Sequence, residues 1–316
     1  MNIIFYNQAH NGDLLFTKSF LKQFCELNKN FNISYVIEYN SFLFSDISNL
    51  NIIIPNIENK YNNTEFNGNY IDPINYITIN NDIYINYTKI FNNNFDNINY
   101  TIINNNIYIK LWIKYITDNY TIQDVECNIF NINNYYNNII NNINNKYNLN
   151  IKLINNCNLL PEIPYTNIDN FLSFKKNKKI IFYYNYNPNA VYDIELNKHD
   201  YYIQLLSEKY KDYIICCALK PNYNSKNIIS IEDFGYIKEP SCENIAKALY
   251  CAMNSEYVIS FDVGACFYYS NNKFNEIFKG IWIHKNANNN YILNKYINSN
   301  NIIYIDNINK IFNIIK

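Results

Sequence analysis

The stretch Ile3–Phe16, IIFYNQAHNGDLLF, reads as an apolar strand, a short polar turn with a glycine, and the start of an amphipathic helix. Asp13 sits where strand hands over to helix. In an open α/β sheet, the carboxyl end of a strand and the amino end of the next helix line the ligand crevice. A carboxylate there can cap the helix, accepting backbone N–H bonds at the positive end of its dipole. It can equally face a substrate as a general base.

The surrounding composition narrows the classes. At 316 residues the chain is long enough for two domains with sizeable cores. A net charge of −1 gives no electrostatic case for nucleic acid or an acidic membrane surface. All 26 basic residues are lysine, asparagine makes up about a fifth of the chain, and tyrosine and isoleucine are heavily used. That bias matches the codons of an AT-rich genome. The asparagines alternate with Ile, Tyr and Phe, which supply the core that disordered chains lack. Runs such as Asn92–Asn94 and Asn104–Asn106 read as loops and turns. The eight cysteines show no C-x-x-C, and Cys216 and Cys217 are neighbours in an apolar run, so buried free thiols are expected and no metal site is. No signal peptide and no run of the ~18 apolar residues needed for a membrane span are visible, and the chain reads as soluble and cytoplasmic.

Along the first half, Leu14–Leu27 has the apolar spacing of a helix, Ile33–Tyr39 and Ile52–Ile54 read as strands, and Phe42–Ile47 as a helical turn. Tyr76–Ile79 and Asp82–Asn86 alternate like short strands, Ile107–Ile116 suits helix or strand, and Gln123–Tyr147 reads as a helix with asparagines on its exposed side. Pro161, Pro164 and the lysines Lys175, Lys176, Lys178 and Lys179 mark a solvated linker between domains. The second half alternates strands (Ile180–Tyr184, Tyr213–Leu219, Ile228–Ile231, Tyr257–Phe261, Gly280–Ile283, Ile302–Ile305) with helices (His199–Tyr210, Ser241–Met253, Asn307–Ile315). Two α/β domains follow, residues 1–165 and 166–316.

Asp262-Val263-Gly264-Ala265 follows an apolar strand and opens a helix, a corner where backbone approaches a ligand closely and free N–H groups can hold a diphosphate. Neither G-x-G-x-x-G nor a P-loop is present. Asn185 and Asn187 follow the first strand of the second domain and are placed to reach phosphate or sugar. Asp233, Phe234 and Gly235 form a later strand-end turn, and Ser241 precedes a helix whose start can serve the diphosphate. His10 lies beside Asp13, His199 opens a helix and suits a structural role, and His284 ends a strand on the expected crevice side.

Asn11-Gly12-Asp13-Leu14 resembles the G-D element of the ADP-heptose heptosyltransferase group. Tyr257–Ala265 is similar to that group's donor-binding strand and D-x-G turn. The resemblance implies a GT-B-like fold: two Rossmann-like domains facing each other across a cleft, an acceptor-side domain first and a nucleotide-sugar-binding domain second. It implies an inverting, metal-independent glycosyltransferase that moves a sugar from a nucleotide-sugar co-substrate to a glycan, or to a lipid- or protein-linked acceptor. Asp13 would be the catalytic base, with His10, Asn11 and Gly12 toward the acceptor. Asn185, Asn187, Asp233, Phe234, Gly235, Ser241, Asp262, Val263, Gly264, Ala265 and His284 would line the donor side. Cys266-Phe267-Tyr268 stands where the group usually has a histidine, and the chain has no arginine for the diphosphate, which leaves the sugar open. A nucleotide-sugar epimerase of GT-B-like fold and a non-catalytic binding protein on the same fold are the alternatives.

Overall fold

The computed structural model describes residues 1–7, 11–37, 41–54, 77–79, 83–85, 100–103, 105–111, 132–155, 164–165, 167–175, 177–185, 196–235, 242–261, 277–283 and 301–316. The chain divides into two compact units, Met1–Leu159 and Leu160–Lys316. The sequence-expected boundary after residue 165 falls within the first residues of the second unit.

In the first unit, β1 (Asn2–Asn7) leads into α1 (Asn11–Leu27), then β2 (Asn32–Ile37), a 3₁₀ turn (Ser41–Phe44) and β3 (Leu50–Ile53). A two-stranded antiparallel pair, β4 (Ile77–Ile79) and β5 (Ile83–Ile85), stands apart from the main sheet. The hairpin β6 (Tyr100–Ile103) and β7 (Asn106–Lys110) and the helix α2 (Ile132–Tyr147) complete the unit. The sheet order is β3-β2-β1-β7-β6, parallel except for the antiparallel edge strand β6. Residues 107–110 of the ambiguous stretch are therefore strand. Its continuation past Leu111, residues 123–131 of the long expected helix, and Asn92–Asn94 lie outside the described residues.

α1 forms because Thr17, Phe20, Leu21, Phe24, Cys25 and Asn28 recur on one face, and all are buried. Phe20 and Phe24 meet Phe5 of β1 edge-on, at 5.7 and 4.9 Å between ring centroids, and Phe20 meets Tyr136 of α2 at 4.5 Å. Such ring pairs contribute about 0.5–1.5 kcal/mol beyond the area they bury.

The second unit runs α3 (Phe171–Lys175), β8 (Lys179–Tyr184), α4 (Leu196–Lys209), β9 (Tyr213–Cys217), β10 (Ile228–Ser230), a 3₁₀ turn (Ile231–Phe234), α5 (Cys242–Met253), β11 (Tyr257–Phe261), β12 (Lys279–Ile283), β13 (Ile302–Ile305), a 3₁₀ turn (Ile308–Lys310) and α6 (Ile311–Ile314). Six parallel strands lie in the order β10-β9-β8-β11-β12-β13, the doubly wound 3-2-1-4-5-6 arrangement. Their near-continuous apolar runs, with β9 buried throughout, are what a sheet covered on both faces requires. Of the lysines expected to mark a linker, Lys175 ends α3 and Lys179 starts β8, while Lys176 lies outside the described residues. Each half is thus a Rossmann-like α/β unit, and two in tandem make the GT-B-like plan.

Asparagine carries much of the local structure. The amides of Asn28, Asn137 and Asn144 each bond both backbone groups of one residue in the segment 151–155, as a neighbouring strand would. Asn28 holds Lys152 (3.1 and 2.8 Å), Asn137 holds Ile154 (2.7 and 2.9 Å) and Asn144 holds Ile151 (2.8 and 2.9 Å). The described non-glycine residues with positive φ, Asn49, Asn105, Asn148 and Asn170, are all asparagine, the side chain that best tolerates the left-handed region. Asn227 is buried beneath the second sheet. Its Oδ1 accepts from the hydroxyls of Ser207 (2.6 Å) and Ser225 (2.8 Å). Its Nδ2 donates to the carbonyls of Ser207 (3.1 Å) and Tyr213 (3.2 Å). Asn227→Ala strands these groups away from water and is expected to cost about 2–3 kcal/mol of stability, read by urea denaturation. A loss within error of zero would show that water replaces the amide.

Candidate functional site

The strand orders fix where each sheet can hold a ligand. In the first, the chain winds outward from β1 through β2 and β3, then returns to the other side of β1 with β7. In the second it winds from β8 through β9 and β10, then returns beside β8 with β11. The crevice outside the carboxyl ends of such a pair is the usual binding position. In the first sheet it lies at β1 and β7, and in the second at β8 and β11.

α1 begins at Asn11, earlier than the Leu14 start expected from sequence, because Asn11, Gly12 and Asp13 are already helical. Asp13 is therefore the third helical residue rather than part of the turn before the helix. Only three residues separate α1 from the end of β1, which keeps this first turn at the β1/β7 switch point. The side chains of Asn11 and Asp13, and His10 as a whole, lie outside the described residues. Further along, α1 is fastened by Lys18, fully buried, whose ammonium meets the Asp46 carboxylate at 2.6 Å. Thr17 Oγ1 lies 3.4 Å from the Tyr35 hydroxyl of β2. The Lys18 end of this pair is buried and the Asp46 end a third exposed, so the pair fastens α1 to the turn that carries Asp46.

In the second unit, Asn185 follows β8 directly and is buried. Its amide bonds both backbone groups of Leu219 (3.0 and 2.7 Å), latching the carboxyl end of β8 to that of β9. One N–H of the amide remains for a ligand. Lys220 then binds the turn after β10 twice: its backbone N–H donates to Glu232 Oε1 (3.0 Å), and its ammonium donates to Asp233 Oδ1 (3.1 Å). Asp233 also accepts from the Ser230 N–H through Oδ2 (2.9 Å). Burial pushes the Asp233 carboxyl up, but the Ser230 bonds and Lys220 outweigh it and hold the pKa below the ordinary value. Asp233 is thus a fixed anion at neutral pH rather than a proton carrier.

Phe234 packs edge-on against Phe171 (5.6 Å) and Phe174 (5.3 Å) of α3. Gly235 ends the turn at φ 80°, with nothing within 4 Å of where a Cβ would stand, so it serves backbone conformation. Its carbonyl accepts from the buried Lys247 of α5 (3.2 Å). Asp200 of α4 accepts from both nitrogens of Asn222, at 3.1 Å from the backbone and 2.6 Å from the amide. These contacts tie the carboxyl ends of β8, β9 and β10 into one rim. Lys220, Glu232, Lys247 and Asp200 are the rim residues that sequence reading missed. The signals were available: a lysine directly after an apolar strand, and another inside the apolar stretch Ile245–Leu249.

Asn187, Ser241, Asp262, Val263, Gly264, Ala265 and His284 lie outside the described residues. β11 ends at Phe261 and β12 at Ile283, the residues immediately before Asp262 and His284. His199 is buried, with Nδ1 3.0 Å from the Tyr183 hydroxyl. Cys25, Cys216, Cys217 and Cys251 are buried free thiols, as expected. Among the described residues, no group of His, Cys, Asp or Glu is placed to hold a metal ion, and no helix is long and apolar enough to cross a membrane.

The class defined by fold is a chain of two Rossmann-like units. No family model and no curated protein match it. Solved structures do. A glycosyl transferase family 9 protein from Veillonella parvula is 10% identical, with 96% of this chain and 86% of that one covered, at a TM-score of 0.47. The E. coli heptosyltransferase WaaC with ADP is 9% identical, over 90% and 87%, at 0.41. The same enzyme with ADP-2-deoxy-2-fluoro heptose is 8% identical, over 96% and 93%, at 0.41. At such values the likeness transfers neither residues nor activity.

Proposed function

We propose that this chain is a glycosyltransferase that moves a sugar from a nucleotide-sugar donor to a hydroxyl of a glycan or glycoconjugate, with inversion and without a metal. One observation carries the reading. The two stretches singled out by motif each come after a strand that flanks the switch point of its own sheet: Asn11–Asp13 opens α1 across a gap of three residues from β1, and Asp262–Ala265 follows β11 in sequence. Ligand crevices of open α/β sheets form there, and unrelated turns have no reason to coincide with both positions.

In this reading the Asp13 carboxylate takes the proton of the acceptor hydroxyl. The oxygen forms its bond to the anomeric carbon as the bond to the diphosphate breaks, and the diphosphate leaves with the electron pair. Backbone N–H groups of the 262–265 turn, the remaining N–H of Asn185 and lysine side chains stabilise the leaving charge. The sequence has no D-x-D to hold a metal for that purpose.

A thermal-shift screen of nucleotide sugars and free nucleotides tests the donor half. A matching donor at a hundredfold excess over its dissociation constant is expected to stabilise the protein by about 2.7 kcal/mol. No shift with any nucleotide would sink the donor assignment.

A further inference from the structure

The net charge of −1 hides a segregation of charge within the second unit. All six strands of its sheet are parallel, so their amino ends share one edge, opposite the rim described above. Two of the strands begin with lysine, and two more have a lysine two residues before their start. Lys178 precedes β8 and Lys179 opens it, Lys211 lies just before β9, Lys226 just before β10, and Lys279 opens β12. All five are exposed. Asp212 and Glu256 oppose them at these strand starts, and Glu208 stands in the last turn of α4, three residues before Lys211. The carboxyl rim carries Asp200, Glu232 and Asp233 against the exposed Lys198 and Lys220. From β10 to β12 the lysine row spans about 19 Å at the usual strand spacing of ~4.8 Å.

We propose that this lysine-bearing edge is a docking surface for an anionic phospholipid bilayer. Three of the five ammonium groups have a partner that holds them in place. Lys179 is fixed by Glu256 (3.1 Å) and lies over the Tyr213 ring (5.8 Å), Lys279 lies over the Tyr257 ring (5.9 Å), and Lys178 reaches the Lys211 carbonyl (3.5 Å). Lysines already placed lose less freedom on binding. The same arrangement argues against single-stranded nucleic acid. Tyr213 and Tyr257 are buried beneath their lysines, leaving neither ring open to stack a base. The apolar group presented here is instead aliphatic: Ile277, 41% exposed, two residues before Lys279. Lysines around an exposed aliphatic side chain suit an interface of anionic headgroups over acyl chains, where each lysine adds to the attraction.

Flotation of the full chain with vesicles tests this, one set of equal parts phosphatidylcholine and phosphatidylserine, the other of phosphatidylcholine alone. The chain is expected to float with the serine-containing vesicles only, and to be released as salt rises. Lys178→Glu/Lys211→Glu/Lys279→Glu should lose at least about a hundredfold in partitioning. Lys29→Glu/Lys146→Glu/Lys152→Glu, with the same net charge but on the first unit, should float like the parent. If charge reversal perturbs folding, the corresponding triple glutamine variant is used, with a loss of about a hundredfold expected. Absence of the parent from serine-containing vesicles overturns the proposal, as does an equal loss in both triple variants. Retention on polyuridylate without flotation would also overturn it, in favour of another polyanion. Vesicle association requires neither donor nor turnover, so it stands or falls apart from the transferase reading.

Discussion

Asp13→Asn is expected to slow sugar transfer by about 10²–10⁴-fold, the usual worth of a general base, while leaving the melting temperature nearly unchanged. The position makes this a sharp comparison. Asp13 is the third residue of α1, where a carboxylate also meets the positive end of the helix dipole. If that were its whole role, the amide would cost about 0.3–1 kcal/mol of stability and leave turnover alone. The two roles therefore separate in two measurements on one variant, a rate and a melting curve. Lys18 and Asp46 keep the backbone of α1 in place in the variant, so a lost rate reports on the carboxylate. Unchanged turnover in Asp13→Asn would remove Asp13 as the base, and a parent that binds a donor without turning it over would be a binding protein.

The second unit was more legible than the first, and the reason is local. β8, β9, β11 and β12 are continuous apolar runs between turns, and Cys242–Met253 has a clear buried stripe, so pattern alone finds them. β6 escaped notice because Tyr100–Ile103 sits among asparagines, and its hairpin turns through Asn105 in a left-handed conformation. Asparagine is the difficulty throughout. The same side chain caps, turns, exposes itself on α2 and substitutes for a missing strand at Asn28, Asn137, Asn144 and Asn185. Nothing in its identity says which. Of the candidate site, the strand-end position of Asn185 was legible, but its latch to Leu219 across 34 residues was not. The switch points needed strand order: the pairing of Ile3 with Ile107 and of Tyr257 with Ile181 is long-range and has no local signature.

The largest stability effect is expected from pH, through His199. The imidazole sits at the start of α4, against Tyr183 of β8, with Asp200 next to it on its own helix. Burial lowers its pKa from 6.5 to about 4, against a smaller opposing pull from Asp200. The sign follows from proton counting. Between pH 6.5 and 4 the unfolded chain protonates this histidine and the folded chain does not, so the unfolded state binds the extra proton and stability falls as pH falls. Above 6.5 both states are neutral and the group contributes no slope. At 1.36 kcal/mol per unit, the full window is worth about 3 kcal/mol. His199→Gln keeps a polar partner for the Tyr183 hydroxyl but cannot titrate. Urea denaturation at neutral pH and near pH 4 should show the parent losing about 3 kcal/mol more than the variant across that interval. Parallel losses in the two proteins would mean that the buried imidazole already accepts its proton in the folded state, through an opening at the start of α4. The carboxyl rim would then loosen in acid, since Asp200, beside His199, holds Asn222 there.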